Sequence, residues 1–280
     1  MSIYTHGDET LPRLTVISLG AGVQSSAMAL MAAHGEITPM PDHAIFADTG
    51  AEPIGIYRWL STLTDLLPFP VHRVMWKDGL EQNIIDSVAG GRFAGAPFYT
   101  ETAGSREGQL RRQCTREYKI QPIEKKLREL VGLAKGQRAK RGAVLAEVWQ
   151  GISTDEIQRA RKGLEGWQQF RYPLIEKRLS RSDCLRWMAE KDYPKPEKSA
   201  CVWCPYHADS QWRDQKLNDP ASWAQSVAMD ERIRAGVRGT EQKLYLHRSL
   251  KPLAEVDFRN AKDFGQLDAF EDECEGMCGL

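Results

Sequence analysis

The residues best equipped for chemistry fall into two groups. Cys201 and Cys204 form a C-x-x-C in "ACVWCPYH", and Cys114 lies far upstream in "RRQCTREYK". Two thiolates two residues apart can bind one metal centre from a single turn, and a third from a distant segment would cross-link the two halves of the chain. Cys114, Cys201, Cys204 and His207 would make a closed zinc site; a redox pair or plain structure is the remaining reading of the C-x-x-C. The second group is "SLGAGVQSSAM", which starts at Ser18 and crowds Gly20, Gly22, Ser25 and Ser26 into one short turn. Glycines there let an anion approach the main chain, and the two serines add hydroxyl donors at a first helical turn, where the dipole favours negative charge. A phosphate or sulfate is the natural occupant, and a tight turn with no ligand is the plain alternative. The spacing matches neither the Walker loop nor G-x-G-x-x-G.

These groups need a frame. "RLTVISL" reads as a strand, "SSAMALMAA" as a helix, "HAIFAD" as a second strand, "IGIYRWLSTLTDLL" after Pro53 as a second helix and "FPVHRVM" as a third strand. A glycine-rich irregular stretch runs from Ala89 to Gly108. Pro122 then opens a helix with Ile123, Leu127, Leu130 and Val131 on one face, and "AVLAEVWQGI" is a further strand. The alternation predicts an α/β fold, a mainly parallel sheet flanked by helices. From Tyr172 helix-like pieces dominate, including "SRSDCLRWMAEK" with a Ser180 cap and the stretch around "PASWAQSVAMDERIRAG". The expected division is therefore a nucleotide-binding domain over 1–171 and a mostly helical region over 172–280. Cys184, with Trp187 and Met188 at i+3 and i+4, reads as core. The basic stretch from Lys135 to Gly142 reads as a solvated connector.

Strand ends in an open parallel sheet are where ligands bind. "FADTGAE" places Asp48, Thr49, Gly50 and Glu52 at such an edge, suited to a ribose, a phosphate or a magnesium ion, although turn chemistry accounts for "DTG" almost as well. "GISTDEIQRA" does the same with Gly151, Asp155, Glu156 and Arg159. Arg111, Arg112, Arg116 and Lys119 flank Cys114, and as a cluster they suit a polyanionic substrate. "LYLHRSLKPL" adds His247, Arg248 and Lys251 as unranked candidates.

Taken together, these segments resemble the adenine nucleotide alpha-hydrolase superfamily, the PP-loop ATP pyrophosphatases with the phosphoadenylylsulfate and adenylylsulfate reductases, and most closely its reductase-like bacterial and phage members. "SLGAGVQSSAMAL" is similar to the PP-loop, "FADTGAE" to the reductases' "DTG" segment, "RRQCTREYKIQPI" to their Arg- and Cys-containing segment, "GISTDEIQR" to the superfamily's "GxRxDES" stretch and "YPLIEKRLSRSDCLRWM" to its "PL" segment. The resemblance implies an adenine nucleotide, ATP or adenylyl sulfate, held by Ser18, Gly20, Gly22, Gln24, Ser25, Ser26, Asp48, Thr49, Gly50, Gly151, Asp155 and Arg159, with substrate anion on Arg112, Arg116 and Lys119. It also implies a 4Fe-4S cluster on Cys114, Cys201 and Cys204, with zinc as the alternative. Two loop positions depart from the pyrophosphatase pattern: Gly20 stands in place of the first serine and Gln24 in place of an aspartate, and Gln24 cannot give magnesium a negative charge.

The tail "FEDECEGMCGL" is similar to the reductases' carboxyl-terminal "ECGxH" segment, so Cys274 and Cys278 are candidates for nucleophile or persulfide carrier, and Asp48 joins them in the candidate catalytic set. The expected activity is adenylation of an acceptor followed by sulfur insertion. Its rivals are sulfite release by a sulfonucleotide reductase and a catalytically silent nucleotide sensor with structural zinc. A base in nucleic acid or a small molecule would be the acceptor, and a thiol reductant or sulfur-donor protein the partner. Lysine plus arginine and aspartate plus glutamate both total 38, so no global field attracts nucleic acid or a membrane. No apolar run approaches the roughly 20 residues that span a bilayer, and the expectation is a cytoplasmic protein without membrane partners.

Overall fold

A computed structural model describes residues 14–102, 106–163, 165–240 and 242–259. In chain order the elements are β1 (Leu14–Leu19), α1 (Val23–Ala33), β2 (His43–Asp48), α2 (Ile54–Leu66), β3 (Val71–Met75), α3 (Gly79–Val88), β4 (Tyr99–Thr102) and β5 (Arg106–Gln109). A π-helix (Thr115–Ile120) then leads into α4 (Gln121–Leu130), followed by β6 (Ala146–Gln150), a 3₁₀ helix (Thr154–Arg159) and β7 (Gln168–Arg171). The remaining elements are α5 (Pro173–Glu176), α6 (Arg181–Glu190), α7 (Asp209–Asn218), α8 (Pro220–Ile233), β8 (Leu244–Tyr245) and a 3₁₀ turn (Leu253–Glu255).

The chain divides into two compact units that interleave in sequence. The first takes the described residues up to Ala47, Ile54–Val74 and Gln121–Ser199; the second takes Asp48–Pro53, Met75–Ile120 and the described residues from Ala200 onward. The cut expected after residue 171 falls inside the first unit.

The α/β expectation is met by a five-stranded sheet in the order β3-β2-β1-β6-β7. β1 pairs parallel with β2 and β6, and β6 with β7. Strand side chains alternate between faces. Ile17 and Leu19 of β1 therefore join Ala44 and Phe46 of β2 beneath α1, α2 and α6, where Met28, Trp59, Leu63, Cys184 and Met188 are buried. Val16 and Ile45 turn the other way, towards Leu127 of α4 and Trp167. α6 begins as expected, with Ser180 and Asp183 forming a reciprocal capping box.

The second unit contains an antiparallel sheet, β5-β4-β8, inside the stretch that reads as irregular in sequence. Its core collects Leu80 and Ile84 of α3, Phe98, Tyr118, Trp203, Trp212 of α7, and Met229 and Ile233 of α8. Buried Asp230 of α8 accepts from the backbone N–H of Leu246 (2.8 Å) and Leu253 (2.9 Å), which fixes the segment that carries His247.

Two positions in the first unit test this packing. A Cβ added at Gly151 would lie 2.8 Å from both N and Cα of Ser25, so Gly151→Ala forces backbone to move. It should cost about 1–3 kcal/mol of stability, read from the urea midpoint. His72 shares a 3.1 Å hydrogen bond with His43, and burial first, then Lys126 and His43, hold its pKa below the usual 6.5. Its contribution is present above pH 6.5 and is lost on acidification, because the unfolded chain takes up the proton first. Melting temperature should fall as the pH drops below about 6.5, and less steeply in His72→Gln.

Candidate functional site

In the first unit the turn after β1 feeds α1, whose N-cap is Gly22. No side chain caps that end, and no acid lies in its first turn. The turn is shaped by Ser25, whose Oγ accepts from the N–H of Gly20 (3.2 Å) and donates to the carbonyl of Gly22 (3.3 Å). Ala21 adopts a positive φ of 56°. A Cβ at Gly20 or Gly22 would meet protein atoms only at ordinary contact distance, 3.6 Å or more. Packing therefore does not demand glycine at either position, whereas a ligand brought against the backbone would. Ser199 supplies those nearest atoms to Gly22, a neighbour that nothing in the sequence signals.

The three residues after Val23 serve different ends. Gln24 donates its amide to Glu156 Oε2 (3.3 Å) and Ser153 Oγ (3.5 Å). Ser25 holds the turn. Ser26 is fully buried, and its hydroxyl accepts the indole N–H of Trp59 at 2.8 Å, so this part of the expected hydroxyl pair faces the core. In the 3₁₀ helix after β6, Glu156 Oε1 pairs with Arg159 Nη1 at 2.6 Å, and the Asp155 carboxylate accepts the backbone N–H of Arg181 at 3.2 and 3.3 Å. Ser18 is a half-buried residue of β1, opposite Gln150 of β6.

In the second unit the "DTG" segment is a hydrogen-bonded turn. Buried Asp48 accepts the N–H of Gly50 at 2.8 Å, and Gly50 has a φ of 75°. Thr49 stands at the centre: its carbonyl accepts the N–H of Leu80 (2.7 Å), and its Oγ1 lies 3.3 Å from Glu52 Oε1 and 3.5 Å from Cys201 Sγ. Glu52, buried, pairs with Lys119 Nζ at 3.4 Å.

One cavity of this unit is lined by Cys114, Cys201 and Cys204 together with Thr49, Arg112, Lys119, Trp203 and Tyr206. The three cysteines predicted to act together thus share one wall space. The C-x-x-C forms a tight turn, Cys204 N donating to Cys201 O at 3.0 Å, and the Arg112 guanidinium lies over the Tyr206 ring at 5.3 Å. Lys119 reaches the cavity from the π-helix that follows Cys114. Pro122, lacking an N–H, cannot give Tyr118 its α-register partner, which accounts for the wider turn. Of the expected anion-binding residues, Arg112 and Lys119 line the cavity; Arg116 is exposed and does not.

Among the described residues, no group of three or more His, Cys, Asp and Glu side chains is arranged to hold a single metal ion. A 4Fe-4S cluster is a larger body that spreads its thiolate ligands apart, and three soft thiols around one cavity suit it chemically. Burial, aided by the Glu52 carboxylate, pushes the Cys201 thiol up to about 12, against the opposing influence of Lys119 and Thr49. His207 lies against the ring of Trp212, centroids 4.7 Å apart. His247 sits between Ser249 (2.8 Å) and Asp209 (3.3 Å), with Arg248 also on Asp209. Cys274 and Cys278 lie outside the described residues.

No protein-family model and no curated protein matches the chain. Among solved structures it is similar to a phosphoadenylyl-sulfate (PAPS) reductase from Candida auris in its phosphate complex, with 13% identity and a TM-score of 0.43 over 67% of this chain and 77% of that one. No helix among the described residues is long and apolar enough to cross a membrane.

The thiol setting yields a direct check. Glu52→Gln removes an anion that raises the Cys201 pKa, so in the metal-free protein iodoacetamide should label Cys201 several-fold faster at about pH 8. Cys184, which burial also pushes up to about 12, should stay unlabelled until the protein is denatured. Peptide mass mapping reads both sites.

Proposed function

We propose that the protein is an adenine-nucleotide-dependent enzyme of sulfur chemistry that adenylates an acceptor and replaces the activated oxygen with sulfur. The observation that carries this reading is the single cavity shared by Cys114, Cys201, Cys204, Arg112 and Lys119. The uncapped α1 terminus supports its nucleotide half, because backbone N–H groups and the helix dipole there favour an anion.

In this reading the turn at Gly20–Gly22 receives the phosphates, and Ser25 keeps it in shape. An acceptor oxygen attacks the α-phosphorus of ATP and pyrophosphate leaves. Sulfide then forms the new carbon–sulfur bond as the carbon–oxygen bond breaks, releasing AMP. Preorganised donors at the phosphates would stabilise charge in the first step. Cys114, Cys201 and Cys204 would hold a 4Fe-4S cluster, which when bound supplies electron chemistry and a place for sulfide. Arg112 and Lys119 would orient an anionic substrate, and Trp203, Tyr206, Pro97 and Pro205 would restrict water at the thiols.

A sulfonucleotide reductase is the second reading, and Gln24 favours it. The α1 first turn offers an amide committed to Glu156 rather than a carboxylate for magnesium, and two-electron reduction of adenylyl sulfate by an external dithiol, which yields sulfite, AMP and the disulfide, needs no pyrophosphate release.

The protein should be purified without oxygen and assayed for iron, zinc and acid-labile sulfide. About four irons and four sulfides per chain are expected, with visible absorbance that Cys114→Ser abolishes. A colourless protein with one zinc would overturn the cluster. Pyrophosphate release from ATP in the presence of acceptor supports sulfur insertion, sulfite release from adenylyl sulfate supports the reductase, and neither at a catalytic rate removes both.

A further inference from the structure

The connection between α4 and β6 carries a charge arrangement that its sequence alone does not show. No aspartate or glutamate occurs from Leu130 to Ala146, while Lys135, Arg138, Lys140 and Arg141 fall within seven residues. The apolar side chains of the connection turn inward: Leu133, Ala139 and Leu145 pack against the core that contains Val16, Ile45, Leu127 and Trp167. Its turn is pinned by Arg128 of α4, whose Nη2 donates to the carbonyls of Ala134 (3.0 Å) and Gln137 (2.5 Å), while the Gln137 side chain accepts the Ala134 N–H at 3.0 Å. What remains outside is charge. Lys135, Arg138, Lys140 and Arg141 are all exposed, and none of their side chains makes a hydrogen bond or ion pair with another described residue. The acids that flank the stretch are engaged elsewhere, Glu129 with Lys126 at 2.7 Å and Glu147 with the indole N–H of Trp149 at 2.9 Å. Cations held side by side repel one another, and a polyanion is the partner that turns this repulsion into attraction.

We propose that the turn from Lys135 to Arg141 is a docking surface for the phosphate backbone of double-stranded nucleic acid. Duplex phosphates recur at short intervals and accept both the point charge of lysine and the fork of arginine. The stretch from Leu130 to Ala146 has no aromatic ring on which an unpaired base could stack, which sets a single strand aside. None of the exposed large hydrophobic side chains lies on it, so nothing there would enter a bilayer, which sets a lipid surface aside. Contact through phosphates makes the binding independent of base sequence and steeply dependent on salt. This surface belongs wholly to the first unit, and its binding stands apart from any chemistry at the cysteine cavity.

Fluorescence anisotropy of the full chain with labelled duplexes of about 20 base pairs and arbitrary sequence, RNA and DNA in parallel, tests it across a series of salt concentrations. The combined variant Lys135→Gln, Arg138→Gln, Lys140→Gln and Arg141→Gln should weaken duplex binding about tenfold or more near 0.1 M salt, and make the slope of log affinity against log salt shallower by about 2–4. A matched variant, Lys177→Gln, Arg178→Gln, Lys191→Gln and Lys195→Gln, removes the same charge from exposed positions elsewhere in the first unit and should leave the slope nearly unchanged. Arg128→Gln keeps the four cations but frees the turn, and should cost part of the affinity. Equal losses in the two combined variants, no binding of either duplex by the wild type, or tighter binding to a single strand or to phosphatidylserine vesicles than to duplex would each overturn the assignment. Thermal melting checks that every variant folds; should the first combined variant not fold, Lys135→Gln with Arg138→Gln and Lys140→Gln with Arg141→Gln, made separately, should each take about half of the slope change.

Discussion

The close approach of the end of β6 to the first turn of α1 is the constraint on which the first unit's polar site depends. Gly151 permits it, since any side chain there would run into the Ser25 backbone. With the two segments that close, Gln24 reaches across to Ser153 and Glu156, and the 3₁₀ helix is tied to the glycine turn. Ser25 faces the turn itself, and Ser26 faces the core through Trp59. Three successive residues thus anchor the same helix start in three directions. That is how an uncapped terminus keeps a defined shape although no side chain caps it.

Thr49 plays the matching part in the second unit. Its carbonyl comes so near to α3 that a Cβ at Gly79 would sit 2.9 Å from it, and Gly79 has a φ of 87° that L-residues seldom adopt. The hydroxyl of the same residue looks towards Glu52 and Cys201. One residue therefore couples the start of α3, by backbone, to the thiol cavity, by side chain. The Glu52–Lys119 pair then links the "DTG" turn to the π-helix.

The parallel sheet was legible because β1, β2 and β6 are apolar, β-branched and separated by helix-period stretches, the strongest local signal available. The Ser180 cap and the burial of Cys184 were legible for the same reason: their determinants lie within four residues. β4, β5 and β8 were not. They are short, glycine-rich or polar, and β4 pairs with β8 from some 140 residues away, so only long-range contact defines them. Residue types and spacing brought Cys114, Cys201 and Cys204 together on paper, and they line one cavity. Ser26 reads in sequence as an equal donor beside Ser25. Helical geometry turns adjacent residues about 100° apart, and it directs Ser26 inward.

The two polar centres handle charge in opposite ways. Around Gln24, a carboxylate and a guanidinium are paired at 2.6 Å, so the local sum is close to neutral and the remaining positive field comes from the helix terminus, a fixed dipole that needs no counter-ion. In the cysteine cavity, Lys119 is spoken for by Glu52, Arg112 rests on Tyr206, and the Cys201 thiol is held neutral by burial beside that same Glu52. Charging the Cys201 thiol there without a compensating cation would be costly. A soft cationic centre that binds it as a thiolate removes that cost, whereas an isolated nucleophilic thiolate would have to bear it. Burial and charge thus set Cys201 apart from an exposed, independently reactive cysteine.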